Sequence, residues 1–109
     1  MKPYFRNKAD CRHIELFPGV ELSTFGGDQL MVSFVEFEPG AVVEEHDHPH
    51  EQMGMVVAGR AEFIVAGESR VLGPGDLYRI PGGVRHKVIA LDAPVQAVDV
   101  FHPPREDYL

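Results

Sequence analysis

Two histidines one residue apart, His46 and His48, are the first feature of this 109-residue sequence that could do chemistry. In an extended chain residues i and i+2 point to the same side, so the pair is expected to project two imidazoles from one strand. Gln52 follows four positions after His48, and His86 stands far along the chain, just past Pro81-Gly82-Gly83. Imidazole nitrogen suits zinc, nickel, copper, iron and cobalt. Three imidazoles and one side-chain oxygen leave coordination positions open for water or substrate, as a working rather than a structural metal requires. Taken alone, a His-x-His triplet is more often a pair of surface residues in a polar loop, so the surroundings must decide.

Those surroundings are strands. The hydrophobic period is close to two almost everywhere. Leu30 to Glu38 alternates, with Met31, Ser33, Val35 and Phe37 on one face and Leu30, Val32 and Phe34 on the other. Further extended pieces are expected at Ala41–His48, Gln52–Ala58, Ala61–Ala66, Ser69–Leu72, Leu77–Ile80, Arg85–Leu91 and Val95–Phe101. The breaks between them are rich in Gly and Pro: Pro39-Gly40, Gly73-Pro74-Gly75-Asp76 and Pro81-Gly82-Gly83. No stretch carries a helical stripe, and short, evenly spaced strands point to a sandwich or barrel. Its edges need covering, so closure or a homodimer is expected, with Arg12–Ser23 forming strands that pack on a partner subunit.

The spacing around the histidines is more specific than the triplet. Gly40, His46-x-His48, Gln52 and Gly59 resemble the first motif of the cupin superfamily, with Gln where that family usually has Glu. Gly75, Pro81-x-Gly83 and His86 resemble the second, whose usual final Asn is Ala90 here. The resemblance, covering Gly40–Ala90, implies an all-β jelly-roll barrel in one domain spanning residues 1–109. It also implies one divalent ion (Zn, Ni, Mn or Fe) inside the barrel, held by His46, His48, Gln52 and His86. A Gln ligand is neutral, so the ion would keep its full charge, act as a stronger Lewis acid and favour carboxylate or enolate ligands.

The last strand and tail narrow the resemblance. On Val95–Phe101, Ala97, Asp99 and Phe101 share one face, while Gln96, Val98 and Val100 share the other and read as apolar packing. A carboxylate in such a strand needs a partner or a job: a salt bridge to an arginine, or acid/base work. The tail from Asp99 to Leu109, with the stretch His46–Gln52, is similar to the pectin-degradation cupins, which convert 4,5-unsaturated monouronates into linear keto sugar acids. That likeness implies a small sugar acid as substrate and assigns the pocket residues Asp99, Phe101 and Arg105. Asp99 would move the proton, Arg105 would clamp the carboxylate and Phe101 would stack on the ring. One of Tyr78 and Arg79 is expected at the pocket, His50 at its rim and Glu51 in solvent. Met53 and Met55 read as core or rim filler, and His13, His102, Arg60, Arg70 and Arg85 as surface residues.

Bulk properties exclude much else. The net charge of -7 disfavours a phosphate-backbone partner, so no nucleic acid is expected. The single cysteine, Cys11, permits no internal disulfide, which suits a reducing cytoplasm. No apolar run approaches membrane-helix length and the first ten residues lack a signal-peptide core. Two other functions share the same scaffold: an iron or nickel dioxygenase acting on a small diketone or phenol, and a sugar-binding module without turnover.

Overall fold

A computed structural model describes residues 3–109. Alternating inward and outward side chains produce ten strands among the described residues: β1 Arg12–Phe17, β2 Val20–Gly26, β3 Met31–Phe37, β4 Val42–His46, β5 Glu51–Ala58, β6 Ala61–Val65, β7 Glu68–Leu72, β8 Leu77–Ile80, β9 His86–Ala90 and β10 Val95–His102. The only helical pieces among these residues are short 3-10 turns at Lys8–Asp10 and Glu106–Tyr108. The strands form two antiparallel sheets, β1-β2-β3-β10-β5-β8 and β4-β9-β6-β7, facing one another in the jelly-roll arrangement.

Between the sheets lie Val20, Leu22, Met31, Val35, Phe37, Val56, Phe63, Ile80, Val88, Val95 and Ala97, all buried. Strand β3 shows the period cleanly, with Met31, Ser33, Val35 and Phe37 inside and Val32 exposed. The reading of β10 needs correction. Val95, Ala97, Asp99 and Phe101 are the buried set, whereas Val98 is half-buried and Val100 exposed. Both faces of this strand are apolar, so composition could not tell inside from outside. Met53 and Met55 are likewise no core filler; they point outward from β5, 49% and 39% exposed. With Val32, Val100 and Leu77 they form an apolar surface on the outside of the larger sheet. The N-terminal strands join this chain's own sheet, β2 pairing with β3 along its whole length and β1 lying at the edge.

Candidate metal centre

One register brings the chemical residues together. Across the inner face of the larger sheet, Met31, Phe101, Gln52 and Ile80 form one cross-strand row, and Ser33, Asp99, Gly54 and Tyr78 form the next. The row beyond, Val35, Ala97 and Val56, is apolar. His46 and His86 face this sheet from the other one, paired with each other at the ends of β4 and β9. His48 lies past the end of β4, so the triplet is not two neighbours on one strand. The chain bends there because the loop is held: the Gly83 amide donates to the His48 carbonyl at 2.8 Å. Gly82 packs so closely that a Cβ on it would lie 2.3 Å from the Pro49 carbonyl oxygen, which only glycine tolerates. The Pro81-Gly82-Gly83 turn thus seats the loop bearing His48 beside the strand bearing His86.

The three rings converge, with centroids 4.3 Å (His46–His86), 5.0 Å (His48–His86) and 5.6 Å (His46–His48) apart. One ring nitrogen of each lies within 4.8 Å of the others. Each Nδ1 contacts a backbone carbonyl: Glu44 for His46 at 2.9 Å, His50 for His48 at 3.1 Å and Val84 for His86 at 2.9 Å. A neutral ring carries one proton, and these carbonyls claim it at Nδ1, leaving the Nε2 lone pairs free. Burial, with the positive Arg105 and the other imidazoles, holds His48 down to about 4. Burial also lowers His86. Neutral rings are the form that binds a metal.

Gln52 completes the test. Its amide hydrogen-bonds Asp99 and favours the ionised carboxyl, so the NH2 end is the donor. The carbonyl end then faces His48, with Oε1 3.1 Å from Nε2. Without an ion a proton on Nε2 donates to Oε1; with Nε2 deprotonated, both atoms offer lone pairs to one shared cation. Ligand atoms each about 2.1 Å from one ion and at right angles to each other are about 3 Å apart, so the spacing fits. The residues present therefore suit a divalent ion.

Beside this cluster lies a cavity of about 50 Å³, lined by His46, Gln52, His86, Asp99, Phe101 and Tyr78 among others. Asp99 is buried, and desolvation raises its carboxyl to about 6 against the opposing hydrogen bonds from Tyr78 and Gln52. Its partners are thus a phenol and an amide, not the arginine of the salt-bridge reading. The Tyr78 hydroxyl donates to Asp99 Oδ1, and burial beside that carboxyl pushes the phenol up. Gly54 sits between them on β5, where a Cβ would lie 2.4 Å from both the carboxylate oxygen and the Tyr78 hydroxyl. Arg79, by contrast, is exposed on the outer face.

Phe101 packs edge-on to His48 at 5.7 Å. The Arg105 guanidinium lies 4.0 Å over the Tyr108 ring and 5.5 Å from Phe101, and pairs with Asp107 at 2.9 Å. Thr24 Oγ1 donates to the Tyr108 carbonyl at 2.6 Å, tying this terminal segment to β2. Tyr78 was one of two sequence candidates; Tyr108, Ser33 and Thr24 were not singled out, and only the inward phase of β3 hinted at Ser33. The ring of His50 also lies 5.6 Å from His48 but is not among the three whose nitrogens converge, and its backbone carbonyl contacts His48 Nδ1. Glu51, His13 and His102 are exposed, as are Arg60, Arg70 and Arg85.

A small antiparallel jelly roll with three inward imidazoles is the cupin arrangement, and the Cupin domain family model matches residues 33–101; the chain belongs to the cupin family. Within it, the chain is 37% identical over 83 residues to the pectin degradation protein KdgF of Dickeya dadantii, covering 75% of this chain and 76% of that one. It is 36% identical over 75 residues to the dimethylsulfoniopropionate lyase DddQ of Ruegeria pomeroyi, covering 68% of this chain and 37% of that longer protein. The structure of KdgF from a Halomonas species superposes with a TM-score of 0.89 at 33% identity, over 98% of this chain and 99% of that one.

Proposed function

We propose that this cupin is a metal-dependent enzyme that opens the ring of 4,5-unsaturated monouronates to give linear keto sugar acids. The observation that carries the reading is the buried Asp99 carboxyl beside a three-histidine cluster, in a cavity whose lining residues Phe101 and Tyr108 carry the Arg105 guanidinium over their rings. The likeness to two KdgF proteins, over 75% of this chain for one and 98% for the other, supports the substrate class.

His46, His48, His86 and Gln52 would hold the ion, which when bound supplies Lewis-acid polarisation of a carboxylate or ring oxygen. The chemistry left to the chain is one proton transfer. As the C1–O5 bond breaks, the C1 hydroxyl gives up its proton and becomes an aldehyde. O5 becomes an enolate oxygen, and the enolate becomes a ketone when C4 gains that same proton. Nothing is oxidised or reduced. Asp99 takes the first proton as base and returns one to C4 as acid, a pair of tasks suited to a carboxyl near 6. Tyr78 orients it by donating to Oδ1. Arg105 pairs the substrate carboxylate, and Phe101 covers one side of the ring and excludes water.

The test is the decay of the conjugated-alkene absorbance of unsaturated galacturonate with metal-analysed enzyme under anaerobic conditions. Turnover without oxygen is expected. A rate that appears only with oxygen, on a diketone or phenol, would replace this reading with the dioxygenase one. The protein is proposed to work in the cytoplasm as a single cupin domain and as a homodimer. The outer apolar surface of Val32, Met53, Met55, Leu77 and Val100, with Arg79 beside Met53, is the face that a second copy would bury.

A further inference from the structure

Ser33 is a buried polar side chain that the mechanism above does not use. It lies on β3, fully buried, and lines the cavity. Its register partners are Asp99 on β10 and Thr24 on β2. Thr24 is occupied, donating to the Tyr108 carbonyl, and Asp99 is held by Tyr78 and Gln52. Ser33 Oγ has no hydrogen-bond partner among the described residues. Its neighbours on the same face of β3 are Met31 and Val35, so the smaller alanine would suit this stretch of the strand. A hydroxyl withdrawn from water and left unpaired is unfavourable, and such groups in folded proteins call for a partner.

We propose that Ser33 is a substrate-binding residue, whose hydroxyl pairs with a ring hydroxyl of the sugar acid and selects polyhydroxylated acids over plain ones. The proposal rests on the uronate reading. Gln52 and Ser33 flank β10 from opposite sides and one inward step apart, Gln52 across from Phe101 and Ser33 across from Asp99. Same-face residues two apart on a strand are separated by roughly 7 Å and adjacent strands by about 5 Å. A six-carbon acid with its carboxylate at the histidine and Arg105 end therefore reaches the row of Ser33 and Asp99 with its hydroxylated carbons. Asp99 then addresses the reacting carbon, and Ser33, on the neighbouring strand, addresses a hydroxyl beside it. A linear acid without hydroxyls would leave Ser33 unpaired, and a site with an unmatched polar group rejects such a ligand.

The test compares wild type and Ser33→Ala, both metal-loaded, on unsaturated galacturonate and on its 2-deoxy and 3-deoxy analogues. Losing one neutral hydrogen bond is expected to lower kcat/KM on the full substrate roughly 3- to 15-fold, mostly through KM. One deoxy analogue should lose little, because its partner group is already gone. Thermal stability of Ser33→Ala should be unchanged or higher, since the hydroxyl has no protein partner to lose. Equal kcat/KM for both proteins on the full substrate, or an equal loss on every analogue, overturns the proposal while leaving the uronate reading intact. Should the wild type turn over no uronate, that reading fails by itself. Ser33 is then judged by the thermal shift that galacturonate gives each protein, equal shifts overturning its role as well.

Discussion

Replacing Asp99 by Asn separates the stability of the fold from its chemistry. In the metal-free protein, burial raises the Asp99 carboxyl from 3.8 to about 6, so the folded chain takes up this proton at higher pH than the unfolded chain does. Ionisation therefore costs the fold nothing below about 3.8, a growing amount up to about 6, and about 3 kcal/mol above it. His48 has the opposite sign. Its ring is lowered from 6.5 to about 4, so the unfolded chain protonates first, and up to about 3 kcal/mol present at neutral pH is lost as the pH falls through that window. The Asp99 and His48 slopes oppose each other in the wild type, and the lowered His86 adds to the histidine side, so metal-free stability should rise only gently from pH 4 to 6.5. In Asp99→Asn the carboxyl slope is gone and the slopes of His48 and His86 are unopposed, so stability should rise steeply over the same range. With some loss allowed for an amide facing the Gln52 amide, the variant should be about 2 kcal/mol more stable than wild type at pH 7.5, roughly 10 °C in Tm. The advantage should vanish near pH 4. Urea denaturation with chelator across pH 4 to 8 reads both curves. The same variant, reloaded with metal, should keep its ion and lose about 100-fold or more in kcat. Parallel pH profiles for the two proteins would refute the electrostatic reasoning, and unchanged turnover would remove Asp99 from the chemistry.

Removing a ring of the cluster by His86→Ala should weaken metal affinity at least about 100-fold, read by competition with a chromogenic chelator, with the strand pattern kept in far-UV dichroism. Gly54→Ala drives a methyl into the Asp99–Tyr78 contact, where a Cβ would lie 2.4 Å from each oxygen, and should cost about 2 kcal/mol in urea denaturation as well as most of the activity. Arg105→Ala should raise KM for the unsaturated uronate roughly 10-fold or more with a smaller change in kcat, because a charge-assisted pair to a carboxylate is lost. Met53→Glu on the outer face of β5 should convert a dimer to monomers in sedimentation velocity while leaving metal content unchanged.

The parts of this site that could be read from the sequence are those whose geometry is local. Gly40, His46, Gln52 and the Pro81-Gly82-Gly83 turn each mark a bend or a phase of the local chain, His48 follows in the loop after β4, and Gly82 shows why the spacing is strict: it must lie bare against Pro49 to seat His48 beside β9. What escaped is what depends on register between strands. Tyr78 meets Asp99 only because β8 and β10 both pair with β5 at Gly54, and no residue count along the chain contains that fact. Ser33 shares the inward phase of Met31 and Val35, but Val32 and Phe34 are apolar too, so the alternation left the buried side of β3 open until β2 and β10 fixed it. The same ambiguity misplaced Val98, Val100, Met53 and Met55, which are apolar yet face outward. A strand with two apolar faces has two surfaces to cover; one is the barrel interior that holds the candidate metal centre, and the other is the surface a second copy of the chain would bury. A single amphipathic pattern is therefore the wrong template for β5 and β10, and Asp99 is the residue whose burial tells which face is the interior.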